Sequence, residues 1–320
     1  MTLFLSDSDV QRLLTMREAI DAVEEAFKEL QQGEAIMPER TTLMLKNGSI
    51  SQMSAYLKRM NVATTKVFGI FPKNVEYNLP TTVATLLVYD LETGKVTTVM
   101  DAAYLTALRT GAVSGVATKY LSRKDSKNVG IIGCGMQGKT QLLAVREIRE
   151  IEKVCAFDKV SSVRKLFAEE MSKKLGIDVL HVDSPQKVVK DADVVITATT
   201  SAEPVVKGEW LSWGTHINAI GSYYSNAREL DTETIVKSKV VVDLRKAALE
   251  EAGDIILPIK EGAITERHIY AELGEIVTGK KSGRVDDDEI TVFKSVGLAI
   301  QDAAVAKFII KKFRTNFLRQ

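Results

Sequence analysis

Three basic residues in the first third of the chain could bind an anionic substrate and move a proton. Lys66 lies in the apolar segment VATTKVFGIF, a predicted strand in which burial would lower the pKa of its ammonium group; a solvent-facing strand position is an equally good interpretation. Arg109 lies in a predicted helix of small and apolar residues, so we expect its guanidinium to meet a carboxylate or a phosphate. For Arg40, just after Met37-Pro38, an ordinary surface position is favoured.

A glycine-rich turn indicates a nucleotide site. Gly133, Gly135 and Gly138 follow the apolar segment NVGII and precede a helical pattern, which is the GxGxxG arrangement of dinucleotide-binding turns. The helix N-terminus would direct N–H groups at the diphosphate. Twenty residues later Asp158 ends the next predicted strand, where a carboxylate binds the ribose hydroxyls of NAD(H) and repels the 2′-phosphate of NADP(H). We therefore expect NAD(H) to be preferred, while the adjacent Lys159 keeps NADP(H) open.

Further residues are expected at the carboxyl edge of the same predicted sheet. Thr199 and Thr200 end its fourth strand, and Ile220, Gly221 and Ser222 end its fifth. Because cofactors of doubly wound sheets lie at this edge, these residues are candidates for cofactor contacts.

Composition and motifs exclude several other classes. A net charge of +1 argues against a nucleic-acid partner, since binding to phosphates needs a basic surplus. The three histidines show no zinc-ligand spacing and no GxSxG occurs, so neither a metal site nor a serine hydrolase is expected. The beginning MTLFLSDSDV does not resemble a signal peptide, and no apolar run reaches the roughly 18 residues of a membrane span. With two cysteines and no disulfide framework, we expect a soluble cytoplasmic protein.

The elements that must position these residues fall into two groups. An amphipathic helix from Ser6 or Asp7 to Gly33 precedes Thr-, Val- and aromatic-rich strands, with a hairpin turn at 92–95, and a helix over 102–120. From Asn128, short apolar strands alternate with helices, which predicts a parallel, doubly wound α/β Rossmann domain. The segment TVFKSVGLAIQDAAVAKFIIKKF is interpreted as one long helix that folds back on the first domain.

The expected organisation is thus a Rossmann domain inserted into a split α+β domain. Residues 122–289 form the dinucleotide-binding domain. Residues 1–121 and 290–320 form the domain for substrate binding and dimerisation.

Several segments resemble the ornithine cyclodeaminase/mu-crystallin family, which also includes an archaeal type of alanine dehydrogenase and ketimine reductases. The resemblance spans essentially the whole chain, and LRTGAVSG and FKSVGLAIQD are its most specific motifs. It is also carried by KVFGIFP, LPTT, IIGCGMQG, THINAIGS and ALEEAGDI. Members have a Rossmann domain inserted into a split domain of antiparallel strands that forms a homodimer, so the resemblance implies a homodimer here.

The resemblance also implies roles for individual residues. Arg40, Lys66 and Arg109 match residues that hold the substrate carboxylate, with Lys66 also near the reacting carbon. Glu251 and Val296 match positions that border the substrate pocket. The positions that match cofactor-binding residues are Thr81, Thr82, Arg109, Gly133, Gly135, Met136, Gln137, Gly138, Asp158, Thr199, Ile220 and Ser295.

One departure from the family pattern discriminates among activities. Cyclodeaminases and the alanine dehydrogenase branch have Gly-x-Asp after the fifth strand of the Rossmann domain, and the aspartate is thought to act as general acid and base. Here the segment is AIGSYYSNAREL, with Tyr223 at that position. A phenol with a pKa near 10 is a poor base at neutral pH, so the multistep loss of ammonia from ornithine lacks a needed group.

Reduction of a preformed cyclic imine needs less chemistry, and the resemblance then implies a ketimine reductase. It would convert Δ1-pyrroline-2-carboxylate, or Δ1-piperideine-2-carboxylate, to L-proline or L-pipecolate with NAD(P)H. An ornithine cyclodeaminase and an alanine-type amino-acid dehydrogenase are the alternatives among enzymes. A cofactor-binding protein without catalysis, as in mu-crystallin, is the alternative from another class.

Overall fold

The computed structural model describes residues 2–317, which form two compact units. Unit 1 consists of Met1–Arg109 and Leu298–Gln320, and unit 2 of Thr110–Gly297. These boundaries differ from the expected ones at 121/122 and 289/290. The reason lies in unit 2, where Gln141 donates to the Thr110 carbonyl and Asn218 donates to the Thr118 hydroxyl, so residues beyond 109 already belong to it.

Unit 1 is built on a seven-stranded sheet. Its strands are β1 (Leu3–Leu5), β2 (Ala35–Ile36), β3 (Thr41–Leu45), β4 (Gly48–Leu57), β5 (Val62–Ile70), β6 (Thr82–Tyr89) and β7 (Val96–Asp101). Its helices are α1 (Asp7–Leu13), α2 (Met16–Gln31), the first part of α3 (Ala103–Leu121) and α11 (Ala299–Phe317). The strand order is β1-β7-β6-β5-β4-β2, with β3 also paired to β4; all pairings except that of β1 with β7 are antiparallel.

The packing of unit 1 brings its two chain segments together. Helix α11 packs against α2 and against β4 and β5, and α2 buries an apolar face that includes Val23 and Phe27. The predicted single N-terminal helix is wrong: Thr15 caps a separate helix α2 through a capping box with Glu18. The predicted hairpin turn is confirmed between β6 and β7, where Gly94 adopts a φ of +69°.

Unit 2 is built on an eight-stranded parallel sheet. Its strands are β8 (Asn128–Ile132), β9 (Lys153–Phe157), β10 (Asp178–His181), β11 (Val194–Thr197), β12 (His216–Ala219), β13 (Lys239–Val242), β14 (Ile269–Glu272) and β15 (Thr291–Lys294). Its helices are the end of α3, α4 (Met136–Ile148), α5 (Ser161–Leu175), α6 (Pro185–Val189), α7 (Thr232–Lys237), α8 (Arg245–Glu251), α9 (Gly253–Lys260) and α10 (Leu273–Val277). The strand order is β10-β9-β8-β11-β12-β15-β13-β14.

The last strand corrects one prediction. TVFK, interpreted as the start of a long helix, is β15, which lies between β12 and β13 and is buried along its length. The helix begins only at Ala299. Pairing with two neighbouring strands decides the conformation of this short apolar segment, since tertiary context overrides local helical preference.

The predicted fold class, a doubly wound α/β domain together with a second domain, is confirmed. The strand order changes direction between β8 and β11, and ligands of such sheets bind at the carboxyl ends of the strands flanking this point. Among residues 2–317, no helix combines the length and the apolar character needed to cross a bilayer.

Candidate active site

Lys66 is buried in unit 1 and forms an ion pair. It lies on β5 in the middle of the sheet, opposite Met53 and Leu86, and only 2% of its surface is exposed. Its Nζ lies 2.9 and 2.8 Å from Oδ1 and Oδ2 of Asp302 and donates to the Thr106 hydroxyl at 3.3 Å. The solvent-facing interpretation of Lys66 is therefore wrong.

This environment changes the acidity of Lys66. Burial lowers the pKa of its ammonium group from 10.5 to about 8, with Arg109 and Arg40 contributing in the same direction, while Asp302 opposes the shift. At neutral pH the group is mostly charged but loses its proton far more readily than an exposed lysine. Lys66 can therefore act both as a cation and as a proton donor.

Arg109 shares Asp302 with Lys66. Its Nε donates to Asp302 Oδ1 at 3.1 Å, and its Nη1 donates to Gln301 Oε1 at 2.5 Å. The expectation that this guanidinium meets a carboxylate is thus confirmed. Lys66 and Arg109 carry two positive charges, and Asp302 balances only one of them. A substrate carboxylate would balance the other, so this group of charges favours its binding.

Asp302 is a site residue that no sequence motif singles out. It stands in the first turn of α11, where the helix dipole favours a negative charge, and it is 1% exposed. The sequence does contain an indication of its role. Asp302 lies within the apolar segment AIQDAAVAKFII, and an aspartate buried on such a helix needs a cation as its partner.

Arg40 also lies near this group. Its guanidinium carbon is 5.9 Å from the centre of the Phe68 ring, and Lys66 Nζ is 5.4 Å from the same ring centre. Cations within about 6 Å of a ring are attracted to it. The surface position favoured for Arg40 is therefore wrong: it is half-buried, and the structure brings it together with Lys66 through Phe68.

The glycine-rich turn in unit 2 fits a diphosphate. Gly133 has a φ of +102°, and a Cβ on it would lie 2.4 Å from the Ala198 carbonyl oxygen; a Cβ on Gly138 would lie 2.2 Å from the Gly133 carbonyl oxygen. Around Gly135, in contrast, no other atom lies within 4 Å of an added Cβ, so a ligand can approach its backbone. Helix α4 begins there without a side-chain cap, which leaves its first N–H groups for an anion.

The neighbouring polar atoms also fit a nucleotide. Asp158 follows β9; its Oδ2 accepts from Cys134 N at 3.0 Å and its Oδ1 from Val160 N at 2.9 Å. Each carboxylate oxygen retains capacity for a ribose hydroxyl. Next to the exposed Met136, the Oε1 of Gln137 is buried without a hydrogen-bond partner among the described residues, as expected of an acceptor awaiting a ligand.

Two buried carboxylates accept hydrogen bonds from three further predicted residues of unit 2, which are Thr199, Ser295 and Val296. Glu229 accepts from the backbone and hydroxyl of Thr199, and the Ile220 backbone donates to Thr197 O. Asp243, at the end of β13, accepts from Ser295 Oγ, Val296 N and Gly297 N at 2.8 to 2.9 Å. Neither carboxylate belongs to a recognisable sequence motif, and most of their hydrogen-bond partners are 30 to 54 positions away in the chain.

The remaining predicted residues are placed as follows. Thr81 and Thr82 are exposed in unit 1, directly before and at the start of β6, and their role in cofactor binding stays a prediction. Glu251 is half-buried at the end of α8. Tyr223 packs against the apolar core of unit 2 and stacks on Tyr224, with ring centres 4.6 Å apart. Within residues 2–317 no three His, Cys, Asp or Glu side chains form a metal-binding group.

The charge group predicts a measurable titration. A 13C NMR titration of labelled lysines should assign Lys66 a pKa of about 8, well below the other lysines, with the signal identified by its loss in Lys66→Met. The unfolded chain keeps this proton up to about pH 10.5, whereas the folded protein loses it above about pH 8. The free energy of unfolding should therefore rise between about pH 8 and 10.5, as the charge on buried Lys66 disappears. A Lys66 signal that titrates near 10.5 would contradict the assignment.

We also expect Asp302→Asn to destabilise unit 1. It leaves Lys66 and Arg109 without their shared carboxylate, which costs about 3 to 5 kcal/mol of unfolding free energy in chemical denaturation. Asp21→Asn, at an exposed ion pair with Arg17, serves as the control and should change stability by less than about 1 kcal/mol.

Known proteins resemble this chain along almost its whole length. The alanine dehydrogenase of Archaeoglobus fulgidus is 42% identical over 308 residues, which cover 96% of this chain and 94% of the relative. A Δ1-pyrroline-2-carboxylate reductase of Bacillus cereus is 36% identical over 313 residues, which cover 97% of this chain and 96% of the relative.

Solved structures share the fold. The Thermococcus litoralis Δ1-pyrroline-2-carboxylate reductase in complex with NADH and L-proline superposes with a TM-score of 0.97 at 50% identity, covering 99% of this chain and 98% of that one. An archaeal alanine dehydrogenase dimer with bound NAD superposes with a TM-score of 0.93 at 40% identity, covering 99% and 97%.

The family follows from the sequence as a whole. The model of the ornithine cyclodeaminase/mu-crystallin family matches residues 1–316, which confirms the resemblance carried by the motifs. This protein belongs to the ornithine cyclodeaminase/mu-crystallin family.

Proposed function

We propose that this protein reduces Δ1-pyrroline-2-carboxylate to L-proline with NADH, and that Δ1-piperideine-2-carboxylate is a second substrate. The observation that carries the proposal is the buried group in which Lys66 and Arg109 share Asp302. It offers positive charge to a small carboxylate and an amine of pKa about 8 to a reacting nitrogen. The 50% identical structure with NADH and L-proline supports this choice of substrate.

In the proposed reaction a hydride and a proton add across the C=N bond of the ring. Arg109 and Arg40 hold the substrate carboxylate and so orient the ring. The hydride for the imine carbon would come from bound NADH, which this transfer would oxidise to NAD+. Lys66, charged below about pH 8, donates the proton that the ring nitrogen carries in the product and then regains one from solvent.

NADH is the proposed cofactor, in preference to NADPH. The fit of the turn at Gly135 and the position of Asp158 after β9 support NAD(H). Asp158 would bind the ribose hydroxyls and repel a 2′-phosphate. The neighbouring Lys159 would attenuate that repulsion, so we expect weak rather than absent use of NADPH.

Amino-acid dehydrogenation is the second candidate, because the alanine dehydrogenase relative is 42% identical. Tyr223 argues against both this activity and ornithine cyclodeamination, since a phenol cannot serve as the general base that releases ammonia near pH 7. Binding of cofactor without turnover is the third. The buried lysine and arginine argue against it, because an inactive site would not need to pay for two desolvated cations.

We also propose a homodimer that covers the outer face of unit 1. All five residues of β3 are exposed, Leu43 to 62% and Met44 to 75%. Exposed apolar residues also occur nearby in sequence, at Ile36, Ile50, Val67, Val75, Tyr77, Leu79 and Val83. Such a concentration marks an interaction surface, and the 40% identical alanine dehydrogenase is a dimer.

We propose a cytoplasmic location. Two features support it: Cys134 is buried and Cys155 half-buried, and neither forms a disulfide. Free cysteines persist in reducing compartments.

The activity is tested by oxidation of NADH with Δ1-pyrroline-2-carboxylate, run beside an ammonia assay with L-ornithine and NAD. We expect fast NADH oxidation, no ammonia, and slow or absent NADH formation from L-alanine. Lys66→Ala should lower kcat for the imine about 100-fold, whereas Lys95→Ala, in an exposed turn, should not change it. Ammonia from ornithine with little imine reduction, or a Lys66→Ala rate within a few-fold of the parent, would contradict the proposal.

Cofactor choice is tested at Asp158. Asp158→Ser removes the charge that repels a 2′-phosphate, so the ratio of kcat/KM for NADH to that for NADPH should fall at least tenfold. Asp178→Ser, at an exposed strand start, is the control. An unchanged ratio would show that Asp158 does not contact the ribose.

The dimer is tested by charge on β3. Leu43→Glu combined with Met44→Glu should convert a dimer to a monomer in analytical ultracentrifugation, because carboxylates resist burial at an apolar interface. Leu166→Glu changes a similarly exposed leucine, 54% exposed, on α5 of unit 2 and should leave the dimer intact. A dimer that survives the β3 double substitution would place the interface elsewhere.

A further inference from the structure

Glu229 is a fully buried carboxylate that accepts four hydrogen bonds. Its Oε1 accepts from Thr199 N at 2.7 Å and Thr199 Oγ1 at 2.8 Å. Its Oε2 accepts from Gly221 N and Thr197 Oγ1, both at 2.8 Å. Its side chain is inaccessible to solvent. Burial raises the pKa of Glu229, while the charge of Lys294 lowers it.

These bonds connect two turns at the carboxyl edge of the sheet. Thr197 ends β11 and Thr199 follows it, whereas Gly221 follows β12. The turns are in direct contact: a Cβ on Gly221 would lie 2.3 Å from Thr199 N and 2.4 Å from Thr199 O. Only glycine fits there, and Glu229 holds the two turns at this separation.

A buried ion pair between Asp254 and Lys294 holds the backbone of Glu229 in place. Asp254 Oδ1 accepts from the backbone N–H groups of Glu229 and Leu230 at 2.7 and 2.8 Å, and its Oδ2 lies 2.7 Å from Lys294 Nζ. Lys294 Nζ donates in turn to the Ser222 carbonyl at 2.5 Å. Glu229, Asp254 and Lys294 are all 0% exposed. The chain of contacts therefore extends from β11 through β12 to β15.

We propose that Glu229 is a positioning residue for the cofactor. It sets the separation of the turns that carry Thr199 and Ile220–Ser222, which stand at the edge where doubly wound sheets bind nucleotides. This inference rests on the cofactor part of the proposed function and not on the identity of the imine. Glu229 itself need not contact the cofactor, since its four acceptor positions are already occupied.

The hydrogen-bond pattern requires an acceptor at both oxygens. One backbone N–H points at each of them, from Thr199 and from Gly221, and a backbone donor cannot reverse. A glutamine in either orientation would direct its amide hydrogens at one of these N–H groups. A protonated Glu229 is tolerated better, because the hydroxyl of Thr197 or Thr199 can turn and accept the proton.

The test compares NADH binding to the wild type, Glu229→Gln and Thr197→Val. Thr197→Val removes one hydroxyl donor and leaves both backbone donors satisfied. We expect Glu229→Gln to raise the Kd for NADH at least tenfold, measured by nicotinamide fluorescence, and Thr197→Val to change it less than threefold. The KM for the imine, measured at saturating NADH, should change less than threefold in both variants.

A merely structural role gives a different pattern. Glu229→Gln would then lower the melting temperature of the protein without NADH and the active fraction, while the folded fraction kept the wild-type Kd; this result would overturn the proposal. If Glu229→Gln is insoluble, Glu229→Asp takes its place, because it keeps the charge but is one methylene too short to reach all four donors. A Kd for NADH raised at least threefold by Glu229→Asp supports the proposal, and an unchanged Kd rejects it.

Because NADH binding is measured apart from turnover, a failure of this proposal can be distinguished from a failure of the proposed activity. A wild type that binds NADH but does not reduce the imine contradicts only the choice of substrate. Equal NADH affinity of wild type and Glu229→Gln contradicts only the role of Glu229. Higher salt should leave the effect in place, because the groups involved are buried and poorly screened.

Discussion

The ion pairing of Lys66 and Arg109 with Asp302 is the interaction on which unit 1 depends. Lys66 and Asp302 are 236 positions apart in the chain, yet both are at most 2% exposed and lie within 3 Å of each other. Two desolvated cations, Lys66 on β5 and Arg109 on α3, are tolerable only with a carboxylate beside them. Burial of these charges disfavours folding, and the same burial lowers the pKa of Lys66. The lysine can therefore release a proton more readily than an exposed lysine.

Unit 2 also buries carboxylates, and besides the ion pair of Asp254 with Lys294 they bind mainly backbone N–H groups. Glu229 and Asp243 accept N–H groups from turns that follow β11, β12 and β15. Turns at the edge of a parallel sheet have backbone donors without strand partners, and a charged acceptor satisfies several of them at once. The conformation of these turns at the carboxyl edge of the sheet is thereby stabilised by buried side chains from other parts of unit 2.

Local patterns were sufficient for part of this structure. The glycine turn, Asp158 and the alternation of strands and helices depend on neighbours within some twenty residues, and all were predicted. The sequence does not decide whether Lys66 is buried, because the burial of a strand residue depends on what packs against its face of the strand. A carboxylate partner was predicted for Arg109, but its identity as Asp302, 193 positions away, was not. The break at Thr15 and the strand conformation of TVFK were missed, because a capping box and two strand partners override an apolar helical pattern.

The position of β15 has a consequence for how the chain is made. This strand lies between β12 and β13, so the parallel sheet has a gap until residues 291–294 are available. Unit 1 likewise lacks α11, with Asp302, until residues 299–317 are synthesised. Neither unit can therefore complete its core on the ribosome from N-terminal segments alone. Both units thus depend on contacts between segments that are far apart in the chain, a topology that is associated with slow folding and with transient exposure of unpaired strands.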